Sequence, residues 1–137
     1  MSDVDAVAFR RAIGQLPSGV VVVTTSAGDA MTASAFTSVS LEPPLVLFCV
    51  AKAAPAHDAV VAAGSWTVSI LAETVLLDDG RLDGALATLE CRTTAVHDGG
   101  DHTFVVGQVI AVRGAKEPAG GPLIQYAGAY RRLRPGR

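Results

Sequence analysis

From Val20 onward the chain is a succession of short apolar or β-branched runs cut by turn signals, and this limits the folds open to it. Val20 to Thr25 is β-branched and reads as a strand. Ala27-Gly28-Asp29 turns the chain, and Ala30 to Ser40 reads as the returning strand of a hairpin. Glu42-Pro43-Pro44 breaks that strand. Leu45 to Val50 is continuously apolar and predicts a central strand buried on both faces. Ser65 to Leu71 is a further strand, and Thr88–His97 with Thr103–Val112 predicts a long hairpin around Asp98-Gly99-Gly100-Asp101. Leu123 to Leu133 reads as one closing strand. Helical spacing is found in two places. Asp3 to Leu16 places Ala6, Phe9, Ile13 and Leu16 on one face with Asp3 as cap. Pro55 to Ala63 is a short helix with Pro55 in its first turn, stopped by Gly64. About six strands in hairpin order with two helices favour a barrel or sandwich over a parallel α/β sheet.

The 137 residues suit a single domain, 1–137, with one core. Half of them are apolar and 18% are charged, which argues against disorder. The formal net charge is −2, and the one basic cluster is Arg131, Arg132, Arg134 and Arg137, a pattern of solvated chain end rather than of nucleic-acid binding. No apolar run approaches the ~20 residues that span a bilayer, and the acidic N-terminus is not a signal peptide, so a cytoplasmic location is expected. Cys49 and Cys91 sit in apolar runs and read as free buried thiols. His57, His97 and His102 have no metal-ligand spacing. There is no GxGxxG or P-loop signature, so a nucleotide would have to be held by other means. No Ser/His/Asp set can be placed by spacing, Asp78-Asp79 reads as a solvated turn, Glu90 has no matching carboxylate, and Trp66, Tyr126 and Tyr130 read as core or interface aromatics.

The segment from Ala30 to Ser40 carries the most chemistry. Alternation puts Met31, Ala33, Ala35, Thr37 and Val39 on one face, and Thr32, Ser34, Phe36, Ser38 and Ser40 on the other. A row of small hydroxyls leaves room for a flat ligand and offers it short hydrogen bonds. The pattern alone equally fits a plain solvent-facing strand.

Several segments resemble one family. Phe9-Arg10-Arg11-Ala12-Ile13-Gly14 with Pro17-Ser18-Gly19-Val20, the long run Met31-Thr32-Ala33-Ser34-Ala35-Phe36-Thr37-Ser38-Val39-Ser40-Leu41-Glu42-Pro43-Pro44-Leu45-Val46, Gly84-Ala85-Leu86-Ala87, Leu89-Glu90-Cys91, Gly100-Asp101-His102-Thr103, Val106-Gly107-Gln108-Val109, Pro122-Leu123-Ile124 and Tyr130-Arg131 occur in the order of the flavin-reductase-like branch of the FMN-binding split barrels. The resemblance implies a mainly β, closed split barrel with an N-terminal helix and one short crossover helix. It implies a homodimer and an NAD(P)H-dependent reduction of FMN, or of FAD, whose product serves a partner monooxygenase. By the same match Thr32, Ala33, Ser34, Thr37 and Ser38 are flavin contacts, Lys52 meets the flavin phosphate, and His102 is the catalytic-site contact to the pyridine nucleotide. Without the resemblance, His102 reads as a strand-start residue after a turn.

Two departures bear on flavin. After the central strand, the family's hydroxyl-bearing Ser-x-Thr becomes Ala54-Pro55-Ala56, behind a retained Lys52. Hydrogen bonds to a charged group contribute about 1.5–3 kcal/mol each, so losing two is expected to weaken flavin binding on the order of a hundredfold or more. The N-terminus of the Pro55 helix could recover part of this. The segment Ala72 to Asp83 is shorter than the family's aromatic-bearing insert. These departures also leave room for a barrel that has given up flavin and catalyses a non-redox cyclisation or isomerisation of a hydrophobic metabolite, or for a non-catalytic binding protein.

Overall fold

A computed structural model describes residues 3–74, 85–114 and 120–133. Helix α1, Ala6–Ile13, is capped by Asp5 rather than Asp3: the Asp5 carboxylate accepts from the Val7 N–H at 3.0 Å. Its apolar positions do not face this chain's core, since no α1 residue is buried and Phe9, Ile13 and nearby Leu16 are exposed. Pro17-Ser18-Gly19, which the sequence suggests as the stop of this helix, does more than end it. It forms the short strand β1 (Ser18–Gly19), which pairs with β9 (Leu123–Tyr126).

The main sheet contains β2 (Val21–Thr24), β3 (Ala30–Ala33), β4 (Phe36–Ser40), β5 (Leu45–Ala51), β6 (Ser65–Ile70), β7 (Ala87–Gly99) and β8 (His102–Gly114). Their order is β3-β2-β6-β7-β8-β5-β4, with every neighbouring pair antiparallel. Helix α2, His57–Ala62, crosses from β5 to β6. The expected single closing strand is instead a hairpin of β9 and β10 (Ala129–Arg132), turning through Ala127 and Gly128 at φ 51° and 78°. Two consecutive positive φ values suit a turn that follows strand twist. The described residues therefore hold ten strands rather than about six: the runs Ala30–Ser40 and Leu123–Leu133 each divide in two, and Ser18-Gly19 adds β1.

The same effect corrects the reading of Ala30–Ser40. The run breaks at Ser34-Ala35 into β3 and β4, and the break resets the alternation. Met31, Ala33 and Phe36 all pack on the core, while Thr32, Ser34, Ala35, Thr37 and Ser38 are exposed. Phe36 is thus not on the hydroxyl face, and Ala35 and Thr37 are not on the core face. β5 also departs from expectation: Val46, Phe48 and Val50 are buried, but Leu45, Leu47 and Cys49 on its other face are half-buried.

The core centres on Phe48 and Trp66, which meet edge to face at 4.7 Å between ring centroids. Val23, Val50, Val60, Val68, Cys91 and Val105 surround them. The Trp66 indole N–H donates to Thr93 Oγ1 at 2.9 Å, so its polar edge is satisfied. Tyr126, by contrast, donates to Gln15 Oε1 at 3.0 Å at the end of α1. Both thiols are free. Burial pushes the Cys91 thiol up to about 11 from 9.0. The unfolded chain ionises Cys91 near 9.0 while the folded chain keeps it neutral, so its stabilising contribution is complete below pH 9.0 and is lost as pH rises to about 11. Urea midpoints followed across that range should fall more steeply in the natural chain than in Cys91→Ala. Parallel curves would show that the thiol does not set the alkaline limit.

Candidate functional site

The end of the sheet where β5 meets β8 gathers most of the ionisable side chains that the sequence singled out. The ladder pairs Ala51 with His102, and the Lys52 N–H donates to the Asp101 carbonyl at 2.9 Å. The β7–β8 turn is tight, with Gly100 at φ 79° between Gly99 and Asp101. Glycine at the first central position is what such a turn demands. This geometry brings Lys52 and His102 to the same end of the sheet across 50 residues of sequence.

Charges at this end are paired. The Lys52 ammonium donates to Asp98. That hydrogen bond, then the Gly100 N–H and the lysine's charge, hold the Asp98 carboxyl below its usual range. The imidazole of His102 contacts Asp101 Oδ1 through Nδ1 at 2.7 Å, and it lowers the Asp101 carboxyl by hydrogen bond and then by charge, with a further contribution from Lys52. A carboxylate can only accept, so Nδ1 carries a proton and a neutral His102 presents Nε2 as an acceptor. His57, at the start of α2, contacts Asp58 Oδ1 through Nδ1 at 2.8 Å and Thr103 Oγ1 through Nε2 at 2.7 Å. Neither His57–Thr103 nor Lys52–Asp98 was foreseen. Each joins residues 46 apart through tertiary pairing, and no local spacing could reveal it.

The hydroxyl row approaches this cluster from the β3–β4 break. The Ala35 carbonyl accepts from the Cys49 N–H at 3.0 Å, so the break lies beside β5 three residues before Lys52, or ~10 Å along the strand. Thr37 and Ser38 lie farther back, opposite Leu47 and Val46. Thr32, Ser34, Thr37 and Ser38 are all exposed, as is the apolar Val39 that follows them. Ala33 differs from the other expected contacts: the residue is 7% exposed, belongs to the core and is paired with Val21 in the ladder. Concave pockets lie elsewhere. One of about 280 Å³ is lined by Thr24, Ser26, Ser65, Thr67, Glu90 and Ile110, and another of about 310 Å³ lies between α1 and the Ala127-Gly128 turn.

Ala54 and Ala56 pack against the core, which gives a local reason for small apolar residues there. Helix α2 begins at His57 behind Ala56, without a side-chain cap and with Asp58 in its first turn. That carboxylate competes with a phosphate for the helix start, so the recovery expected from the Pro55 helix is not favoured. Of the shortened segment, residues 75–83 lie outside the described residues, as does the Asp78-Asp79 turn. Among the described residues no group of three or more His, Cys, Asp or Glu side chains could hold a metal, and no helix is long and apolar enough to cross a membrane.

Fold and site together describe a mainly β protein with two helices, presenting an open hydroxyl-lined face beside a lysine and a histidine. The sequence pattern of the flavin reductase like domain matches residues 13–77 and 80–134, and the chain belongs to that family. It is 41% identical over 144 residues to the reductase component of 4-hydroxyphenylacetate 3-monooxygenase from Thermus thermophilus, covering 92% of this chain and 95% of the relative. The NADH:FAD oxidoreductase of Streptomyces globisporus C-1027 superposes with a TM-score of 0.87 at 34% identity, covering 100% of this chain and 99% of that one. The same oxidoreductase in complex with NAD and FAD fragments gives 0.83 at 36% identity, over 96% and 94%. These relatives lend no support to the flavin-free or non-catalytic alternatives.

Proposed function

We propose that this chain is an NAD(P)H:flavin oxidoreductase that takes FMN, or FAD, and releases the reduced flavin to a partner monooxygenase. The observation that carries this reading is the exposed row Thr32, Ser34, Thr37 and Ser38 running toward Lys52 and His102, in a fold shared with a reductase solved with NAD and FAD fragments. The bound flavin supplies the redox chemistry, accepting two electrons from the pyridine nucleotide. Thr32, Ser34, Thr37 and Ser38 would hydrogen-bond the flavin, with the buried Ala33 in the strand behind them. Lys52 faces the phosphate. His102 Nε2 accepts a hydrogen from the nicotinamide carboxamide, orienting that ring against the flavin.

The local charge accounts for a loosely held flavin. Lys52 is already paired with Asp98, and Asp58 and Asp101 add two more carboxylates nearby. A phosphate arriving there meets little net positive charge and no hydroxyl at Ala54 or Ala56. Loose binding suits a flavin that must leave as product.

Closure into a split barrel is supported by the two halves of one broken strand: β3 pairs with β2 at one edge of the sheet, and β4 pairs with β5 at the other. A homodimer is supported by exposed apolar residues of α1, of the β4–β5 turn and of β8, among them Phe9, Ile13, Leu41 and Val112. Residues 1–137 form one domain in this reading, and dependence on NAD(P)H suits the cytoplasm.

The test is a titration of the protein with FMN and FAD by flavin fluorescence, followed by NADH or NADPH under anaerobic conditions. Micromolar binding with bleaching of the flavin absorbance is the expected result. Failure to bind either flavin at high micromolar concentration would overturn the assignment.

A further inference from the structure

We infer that His57 is a positioning residue for the pyridine-nucleotide site, holding His102 in place through Thr103. This rests on the reading of His102 as the contact to that nucleotide. His102 is the first residue of β8, directly after the turn, and its side chain is 44% exposed. Its main chain is paired with Ala51 and Gly99, so its aim depends on how firmly that end of the ladder is held. The anchor is the next residue. Thr103 is 6% exposed, the one buried polar residue among the described residues, and it sits in the ladder between Val50 and Asp98.

A buried hydroxyl needs a partner, and Thr103 finds it in His57 Nε2 at 2.7 Å. Valine would fill the same space without that requirement, so the pair serves more than packing. The orientation of His57 is set in turn. The Asp58 carboxylate accepts from Nδ1–H at 2.8 Å, which leaves Nε2 of the neutral ring to accept the Thr103 O–H. His57 itself rides on α2, pinned to the core by the fully buried Val60. A chain of contacts thus runs from the core through α2, His57 and Thr103 to the backbone that aims His102.

Steady-state kinetics on the full chain, varying NADH and FMN separately, test this. His57→Ala and Thr103→Val should each raise KM for NADH roughly five- to tenfold, the size of one lost hydrogen bond, with KM for FMN changed less than about twofold. Gln at position 57 can replace the Nε2 acceptor, so His57→Gln should return KM for NADH to within about twofold of the natural chain. In a His102→Ala background, His57→Ala should add nothing, since its effect passes through His102. Unchanged KM for NADH in both His57→Ala and Thr103→Val would overturn the inference. So would fully additive effects, or equal losses toward both substrates alongside a lowered melting temperature, because those mark general loosening. Thr103→Val keeps the shape of the buried side chain and carries the test if His57→Ala does not fold. If His102→Ala leaves KM for NADH unchanged, the assignment of His102 fails and this inference with it. If His102→Ala raises KM and the His57 and Thr103 variants do not, the positioning role alone is wrong.

Discussion

Gly107→Ala is expected to destabilise the protein by about 3 kcal/mol or more, a large share of a small domain's stability. A Cβ at Gly107 would lie 2.4 Å from Trp66 Cζ2 and 2.8 Å from Cη2, with the Arg92 carbonyl at 3.3 Å. Trp66 cannot swing aside. It is 3% exposed, its indole N–H is bonded to Thr93, and its ring meets Phe48 edge to face. Relief would have to come from β8 itself, which is paired with β5 and β7 on both sides. Urea denaturation measures the loss, and Gly19→Ala, whose added Cβ meets nothing within 4 Å, is the control with little expected change. A loss at Gly107 no larger than at Gly19 would mean that the Trp66 contact is not rigid. The glycine in Val106-Gly107-Gln108, part of the family resemblance, therefore has a packing reason in this chain.

Ser34→Trp should leave the fold intact and weaken FMN and FAD binding by at least about a hundredfold, or ~2.7 kcal/mol. Ser34 is exposed and lies in the break between β3 and β4, so an indole there displaces no core atom. If the flavin ring lies on the hydroxyl row, the same indole occupies its place. Flavin fluorescence titration and thermal melts on one preparation separate the two effects. Gln108→Trp, also exposed but on β8, should bind flavin as the natural chain does. Normal flavin binding by Ser34→Trp would remove Ser34 and its neighbours from the site.

Both predictions depend on features of unequal legibility in the sequence. The hairpin of β7 and β8 could be read from two β-branched runs around a glycine pair, because turn chemistry is local. So could the interior side of β5, where Val46, Phe48 and Val50 are buried. The break at Ser34-Ala35 could not, since neither residue is a breaker by type. It follows from one chain segment pairing with β2 at one edge of the sheet and β5 at the other. Alternation continued through such a break misplaces every residue beyond it, which is why Phe36 was assigned to the wrong face. The exposure of α1 was likewise invisible: a 3.6-residue period states that one face is apolar, not what covers it.

What the sequence by itself determined was the class of chain: a β-rich domain, two short helices, a hydroxyl-bearing segment, and a run of motifs in the order of one family. Those are properties of neighbouring residues, of side-chain type and period. The tertiary structure decided which hydroxyls face outward, that Ala33 is buried, and that Lys52 meets Asp98 while His57 meets Thr103. Each of these depends on strands far apart in sequence coming into register. Register is settled by the burial of whole faces at once, and no local stretch of sequence contains that information.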